Sequence, residues 1–475
     1  MIDLALLAIL LFASVYTIYF MSQQAAKIFF LVVLVIFLLT KKDYFWFAFF
    51  FIIIAQPGWL FKAYSIGATA RVPIYTFLPS TSLTPMDLFV FLVFVKALVY
   101  GRKCDLIMKR PLTYVLLYGI FLLVMSIVVY GSDINVLANM LRSTFMYSAI
   151  LSFLFLIYDW EQVRRFMHLI FPVVFFILFT QVYFVLSGNE FVNLLSAGQR
   201  ELAYTETGML RPVMGGVVLI FFAFAFSLFL LQHEKRRLTR VYLYVVMVLS
   251  CLSIFMSATR IWVIMFSLML LFYLIFIKRS ARGYIHIASV VGLLLLIVVN
   301  VTPLKERFTD SWVRVSRLSS VMQGRFSVDT SFDQRYSVRL PHVVEGIKQN
   351  WLLGWGFSDS YVKYNDAHVG NFNMLLQVGI IGFMLFSYLW WGYFKMVHGA
   401  ARRVSFNSSH RRSLQVLLSV FTAMLVAHFS TYQFFGLSGS QTGIFFVSIF
   451  LAISQFAVRY VSHRNRAGGN DDRKN

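Results

Sequence analysis

Residues 241–277 read VYLYVVMVLSCLSIFMSATRIWVIMFSLMLLFYLIFI, two apolar runs, 241–257 and 261–277, divided only by Ala258-Thr259-Arg260. Each run is close to the roughly 20 residues that a helix needs to cross the hydrocarbon layer. The turn between them sets a guanidinium at a membrane face with nearly no loop around it. An ionisable group at or inside the apolar layer is retained where it holds an anion or a partner charge. The same stretch therefore indicates a helical membrane protein and supplies a first candidate residue, Arg260.

Working outward, 59% apolar residues, 52 Phe and only 13% charged residues in 475 describe a multi-spanning helical membrane protein, not a soluble one. About fourteen stretches are long enough to span: 2–20, 26–40, 43–57, 84–100, 112–130, 137–158, 165–187, 212–232, 239–257, 261–277, 284–301, 372–398, 412–432 and 440–460. Basic residues gather in every second connection, among them Lys41-Lys42, Arg102-Lys103, Arg164-Arg165, Lys235-Arg236-Arg237, Lys278-Arg279 and Arg402-Arg403. Basic residues are kept on the cytoplasmic side, which predicts both termini inside and a bacterial inner-membrane location. The first run, Leu4 to Phe20, lacks a basic leader and a small-residue cleavage site, so it reads as a retained span.

A formal charge of +22 is accounted for by this bias and by anionic headgroups beside it, so nucleic acid is not an expected partner and membrane lipids are. Cys104 in a cytoplasmic loop and Cys251 inside a span do not meet as a disulfide. The predicted organisation is 1–301 as spans one to eleven, 302–371 as a large external loop, 372–460 as spans twelve to fourteen, and 461–475 as a cytoplasmic tail. Such a long loop is expected to be folded or functional. Trp312, Val315, Leu318 and Met322 have the spacing of a helix lying on the headgroups. A second helix is expected to start at Pro341, put Val343, Val344 and Ile347 on one face, and end near Gly354.

With this topology Arg142, Arg211, Arg260, Arg335 and Arg339 all belong to the external side. Arginine binds phosphate oxygens through a planar fork and stays charged at any relevant pH. The bland alternative for each is a carboxylate partner or a headgroup anchor. His368, where the long loop re-enters the membrane, could accept the proton of a sugar hydroxyl, with His428 in reserve. Trp351, Trp355, Tyr361 and Tyr364 offer flat faces for sugar rings, against the alternative of an interfacial aromatic belt. Gly354-Trp355-Gly356 is read as a tight turn. Phosphate-loop, His-Glu-x-x-His, paired-cysteine and loop Asp-pair motifs are all lacking, which suits a donor needing neither ATP nor metal, and no cofactor is expected.

The order of these features carries a resemblance. Met209-Leu210-Arg211-Pro212, Ser257-Ala258-Thr259-Arg260, Gln334-Arg335 with Arg339, Leu353-Gly354-Trp355-Gly356, His368-Val369-Gly370-Asn371 and Val378-Gly379-Ile380-Ile381-Gly382 follow one another across residues 200–400. The chain there resembles the bacterial O-antigen polymerase and O-antigen ligase superfamily, of the polysaccharide polymerase type. The resemblance implies an all-helical fold similar to the GT-C-like membrane glycosyltransferases. It also implies transfer of a glycan from an undecaprenyl diphosphate carrier at the periplasmic face, without metal. By similarity Arg260 with Arg335 or Arg339 holds the diphosphate, with Arg142 and Arg211 as further cations, and His368 assists the acceptor hydroxyl. Asn371, in a His-x-x-Asn spacing, joins Trp355 and Tyr361 as a sugar-binding candidate.

Chain length and the size of the polymerase group favour polymerase, with a chain-length regulator as partner, over a ligase acting on lipid A-core. A flippase or other transporter is a third reading. It predicts a central polar path and an internal repeat, and the sequence offers little of either, since Lys96 sits near the cytoplasmic end of its span and is expected to snorkel.

Overall fold

The computed structural model describes residues 2–55, 74–78, 81–100, 106–187, 217–257, 259–277, 334–366, 368–404, 408–432 and 434–471, with isolated positions between 284 and 313. The helices follow the apolar runs: α1 Ile2–Phe20, α2 Gln23–Leu39, α3 Asp43–Ala55, α4 Pro85–Val99, α5 Lys109–Val128, α6 Ile134–Phe145, α7 Ala149–Leu156, α8 Trp160–Ile170 and α9 Val173–Ser187. After them come α10 Val217–Leu231, α11 Arg237–Met256, α12 Arg260–Ile277, α13 Leu340–Gln349, α14 Asp359–Tyr364, α15 Gly370–Arg402, α16 Ser409–Ser430 and α17 Gln441–Asp471. A short pair of strands, Tyr75–Leu78 and Thr81–Leu83, precedes α4.

Among the described residues six helical stretches are long and apolar enough to cross a membrane: Lys109–Val128, Trp160–Ser187, Arg237–Met256, Gly370–Arg402, Ser409–Phe429 and Thr442–Ser462. Others expected as spans, such as Asp43–Ala55 and Val217–Leu231, are apolar but shorter. The expected span 137–158 is interrupted by a tight turn at Met146–Ser148. There the Thr144 hydroxyl donates to the Leu437 carbonyl at 2.5 Å and Tyr147 to that of Gly436 at 3.1 Å. Stretch 284–301 and the headgroup helix at 312–322 lie largely outside the described residues, as does all of loop 188–211.

By contacts the chain divides into two units. The first comprises 1–77, 82–102 and 152–314. Its α10 packs on α11, α9 on α11 and α3 on α8. Every residue of α3 is buried, and Phe50 stacks on Phe89 with ring centroids 4.0 Å apart. Between helices in lipid such close packing replaces the hydrophobic drive.

Lys96 departs from its expected snorkelling. Its side chain is 2% exposed, and Nζ donates to the carbonyls of Phe37 at 2.7 Å and Thr40 at 2.5 Å and to Asp43 Oδ1 at 2.6 Å. An ammonium has three donors, and here the carbonyl end of α2 and the first acid of α3 take all three. Removing one partner of a buried pair leaves the other uncompensated, so Lys96→Met is expected to cost about 3–5 kcal/mol. The thermal midpoint of the detergent-solubilised protein should drop, and Lys96→Met with Asp43→Asn should recover part of it.

The second unit comprises 78–81, 103–151 and 315–475. Its α15 packs on α16, α5 and α13. This helix is broken at Gly379, where φ is 61° and ψ is −174°. A break in an apolar layer strands backbone groups, and such backbone is tolerated only where protein satisfies them. The turn at 351–356 does so. Trp355 N–H donates to Leu376 O at 3.0 Å and Gly356 N–H to Gln377 O at 2.8 Å, while Ile380 N–H donates to Trp351 O at 2.9 Å. The Tyr118 hydroxyl reaches the carbonyls of Leu353 and Val378, each at 2.9 Å.

The two backbones cross where both residues are glycine. A methyl on Gly354 would run into the Gly379 nitrogen and the Gln377 carbonyl, and one on Gly379 into Leu352 O. Left-handed strain and overpacking together give Gly379→Ala an expected cost of about 2–4 kcal/mol. Gly399→Ala, in helical backbone with open space at its Cβ, should leave the thermal midpoint unchanged or raise it.

Candidate functional site

The segment from Gln334 to Asn373 is built on that crossing. A π-helical run, Gln334–Arg339, feeds directly into α13, whose first turn holds Pro341 as expected. Wide turns of this kind recur at functional sites, and this one carries Arg335 and Arg339, both half-buried. Of the predicted face, Val343 is fully buried, and Gly346 beside it has no room for a side chain against Tyr364 and Leu376. The helix stops at Gln349, earlier than expected, because Trp351–Gly356 is drawn into pairing with α15.

After α14, capped by the Ser358 hydroxyl, the chain turns back through Asp366. One carboxylate oxygen accepts the His368 N–H at 2.8 Å, and the other lies 3.5 Å from an Arg339 guanidinium nitrogen. The bland alternative is thus realised for Arg339, which has a carboxylate partner. The pair is partly exposed and loosely spaced, leaving the guanidinium able to meet a second anion. Asn373, in the first turn of α15, accepts the Asp366 N–H at 3.0 Å and donates to the Tyr361 hydroxyl at 2.9 Å.

His368 itself is exposed at the end of this turn. Partial burial of its ring and the charges of Arg335 and Arg339 push its pKa below the ordinary histidine value, and Asp366 opposes them. The imidazole is therefore largely neutral near pH 7, with a lone pair open to a proton. Two guanidinium groups and a proton acceptor in one loop can bind an anion and activate a hydroxyl beside it.

The other predicted residues are placed as follows. Tyr361 is 4% exposed, beneath the site, and burial pushes its phenol up to about 12. Trp355 is half-buried; its indole N–H donates to Gly346 O at 2.9 Å and its ring lies 5.5 Å from that of Tyr130. Asn371 stands at the head of α15 with a buried Oδ1 that has no hydrogen-bond partner among the described residues. Arg142 is half-buried in the last turn of α6. Arg260 opens α12 in the first unit; its side chain, and all of Arg211, lie outside the described residues. His428 is fully buried, with its ring beside Tyr432 and Phe435.

Sequence reading passed over Asp366, Asn373 and Gln377. The Asp-x-His spacing was a usable signal, since an Asp side chain commonly accepts the N–H two residues on. Asn373 and Gln377 are polar residues on an apolar helix, four apart and hence on one face. Gln377 Oε1 accepts the N–H groups of Leu437 at 3.0 Å and Ser438 at 3.1 Å and the Tyr432 hydroxyl.

The charges around His368 set a testable order. Arg335→Gln removes a cation that disfavours the imidazolium, so the His368 ionisation moves to higher pH; Asp366→Asn removes the opposing anion and moves it lower. Proton NMR titration of the labelled histidine ring in both variants checks the signs.

No curated protein matches the chain. Residues 245–387 match the family model described as O-Antigen ligase. That stretch contains Arg260, Arg335, Arg339, Trp355, Tyr361, His368 and Asn371, and leaves Arg142 and Arg211 outside it. The match places this segment in the O-antigen ligase/polymerase family and supports a role for the protein in polysaccharide processing at a membrane.

Proposed function

We propose that the protein is a membrane glycosyltransferase of the polymerase kind, passing a glycan from an undecaprenyl diphosphate carrier to a hydroxyl of a second lipid-linked repeat unit at the periplasmic face of the inner membrane. The observation that carries this reading is the meeting of Arg335, Arg339 and a largely neutral His368 within the family-matched segment. A leaving diphosphate needs fixed positive charge, and an incoming hydroxyl needs a proton acceptor.

In the proposed step the bond from the sugar carbon to the diphosphate oxygen breaks as a bond from the acceptor oxygen forms. His368 takes the acceptor proton, and Arg335 and Arg339 neutralise the departing diphosphate; Arg260, Arg142 and Arg211 are kept, from the sequence, as further proposed diphosphate-binding residues. Preorganised donors of this sort contribute about 3–4 kcal/mol each, and general-base assistance on the order of 100-fold in rate. Asn371 and Trp355 are proposed to contact sugar, with Tyr361 supporting them from within. Membrane lipids and a chain-length regulator are the proposed partners. Ligation to lipid A-core would use the same chemistry with a different acceptor.

Incubating the purified protein with a polyprenyl diphosphate-linked oligosaccharide, with and without lipid A-core, separates the readings. A ladder of lengthening glycans is expected; a single capped lipid would identify a ligase, and unchanged donor would refute glycan transfer. His368→Ala and Arg260→Ala should each abolish transfer with expression intact, and normal polymer from either would remove that residue from the mechanism.

A further inference from the structure

Asn373 is 1% exposed, and both ends of its amide are spent on the segment that precedes its own helix. A buried amide in an apolar helix costs free energy unless it is hydrogen-bonded, so the pairing is specific to the amide. On one side the frame is rigid. Gly370 lies so close to the His428 carbonyl that no Cβ fits there, and Gln377, one turn beyond Asn373, is fastened to Leu437 and Ser438. On the other side, Asn365 and His368 are exposed. The link between these sides is Asn373 Oδ1 to Asp366 N–H, then Asp366 to the His368 N–H and to Arg339.

We propose that Asn373 is a positioning residue for glycan transfer, holding Asp366 against α15 and through it setting the stance of His368 and Arg339. The inference rests on the function proposed above. Its amide acts only through Asp366, with Tyr361 fixing the opposite end. Leu in its place would fill similar space and leave the Asp366 N–H and the Tyr361 hydroxyl without this partner. Among the described residues the charged groups acting on His368 are Arg335 and Arg339 from the π-helical run and Asp366 from its own turn; from α16, His428 meets Gly370 through its carbonyl.

The test measures kcat, donor KM and the rate–pH profile of full-length Asn373→Leu, with His368→Ala in parallel. Loss of positioning should lower kcat about tenfold to hundredfold, the scale of a misplaced catalytic group, while donor KM changes by less than about twofold. Once unfastened, Asp366 no longer offsets the two arginines, so the acid limb of the profile should move to lower pH. Asn373→Ser, which keeps a hydroxyl, should show a smaller loss and shift, and it carries the test if Asn373→Leu does not fold. An unmoved limb, with activity scaling only with the amount of folded protein, would overturn the inference. If His368→Ala still transfers glycan, the underlying base assignment fails; if it does not and the Asn373 variants keep the wild-type limb, only the positioning role fails.

Discussion

The second unit depends on a backbone-to-backbone pairing made where a helix is broken. Continuing α15 through Gly379 would have satisfied its own ladder; breaking it exposes carbonyls and N–H groups in an apolar setting, where each unsatisfied group is costly. The turn 351–356 supplies those partners and receives its own in return. Because Gly354 and Gly379 both occupy left-handed backbone and lie in contact, the pairing specifies a single register. The exposed segment that carries His368 is thereby pinned at both ends, by the crossing before it and by the first turn of α15 after it.

That anchoring explains how a short stretch of loop holds several charges close together. Arg335 and Arg339 share one wide helical run, Asp366 faces Arg339, and His368 hangs from the same carboxylate through its backbone. At the imidazole Asp366 opposes the two arginines, while the cations favour its basic form. This balance of charge suits the transfer proposed above, in which the site would receive first an anion and then a proton.

Lys96 shows the same chemistry used for architecture. The first unit joins α2, α3 and α4 by directing one ammonium at two carbonyls and a carboxylate. Its position near a span end suggested a side chain reaching for water. In the fold, Asp43 and the end of α2 come close enough to replace that water, so Lys96 stays inside.

Apolar run lengths were sufficient to read the class and the positions of most helices, because hydrophobicity is a property of single residues and short windows. The start of α13 at Pro341 was legible for the same reason: proline acts locally. The interruption at Met146, the early stop at Gln349 and the roles of Asp366, Asn373 and Gln377 were not legible. Each depends on a partner distant in sequence, such as Tyr147 on Gly436 or Gln377 on Leu437. The residues alone determined a helical membrane protein with several arginines and a histidine as candidate site residues. Only the tertiary structure decided that Arg335 and Arg339 act on His368, because electrostatic coupling depends on distances that a broken and re-paired helix creates.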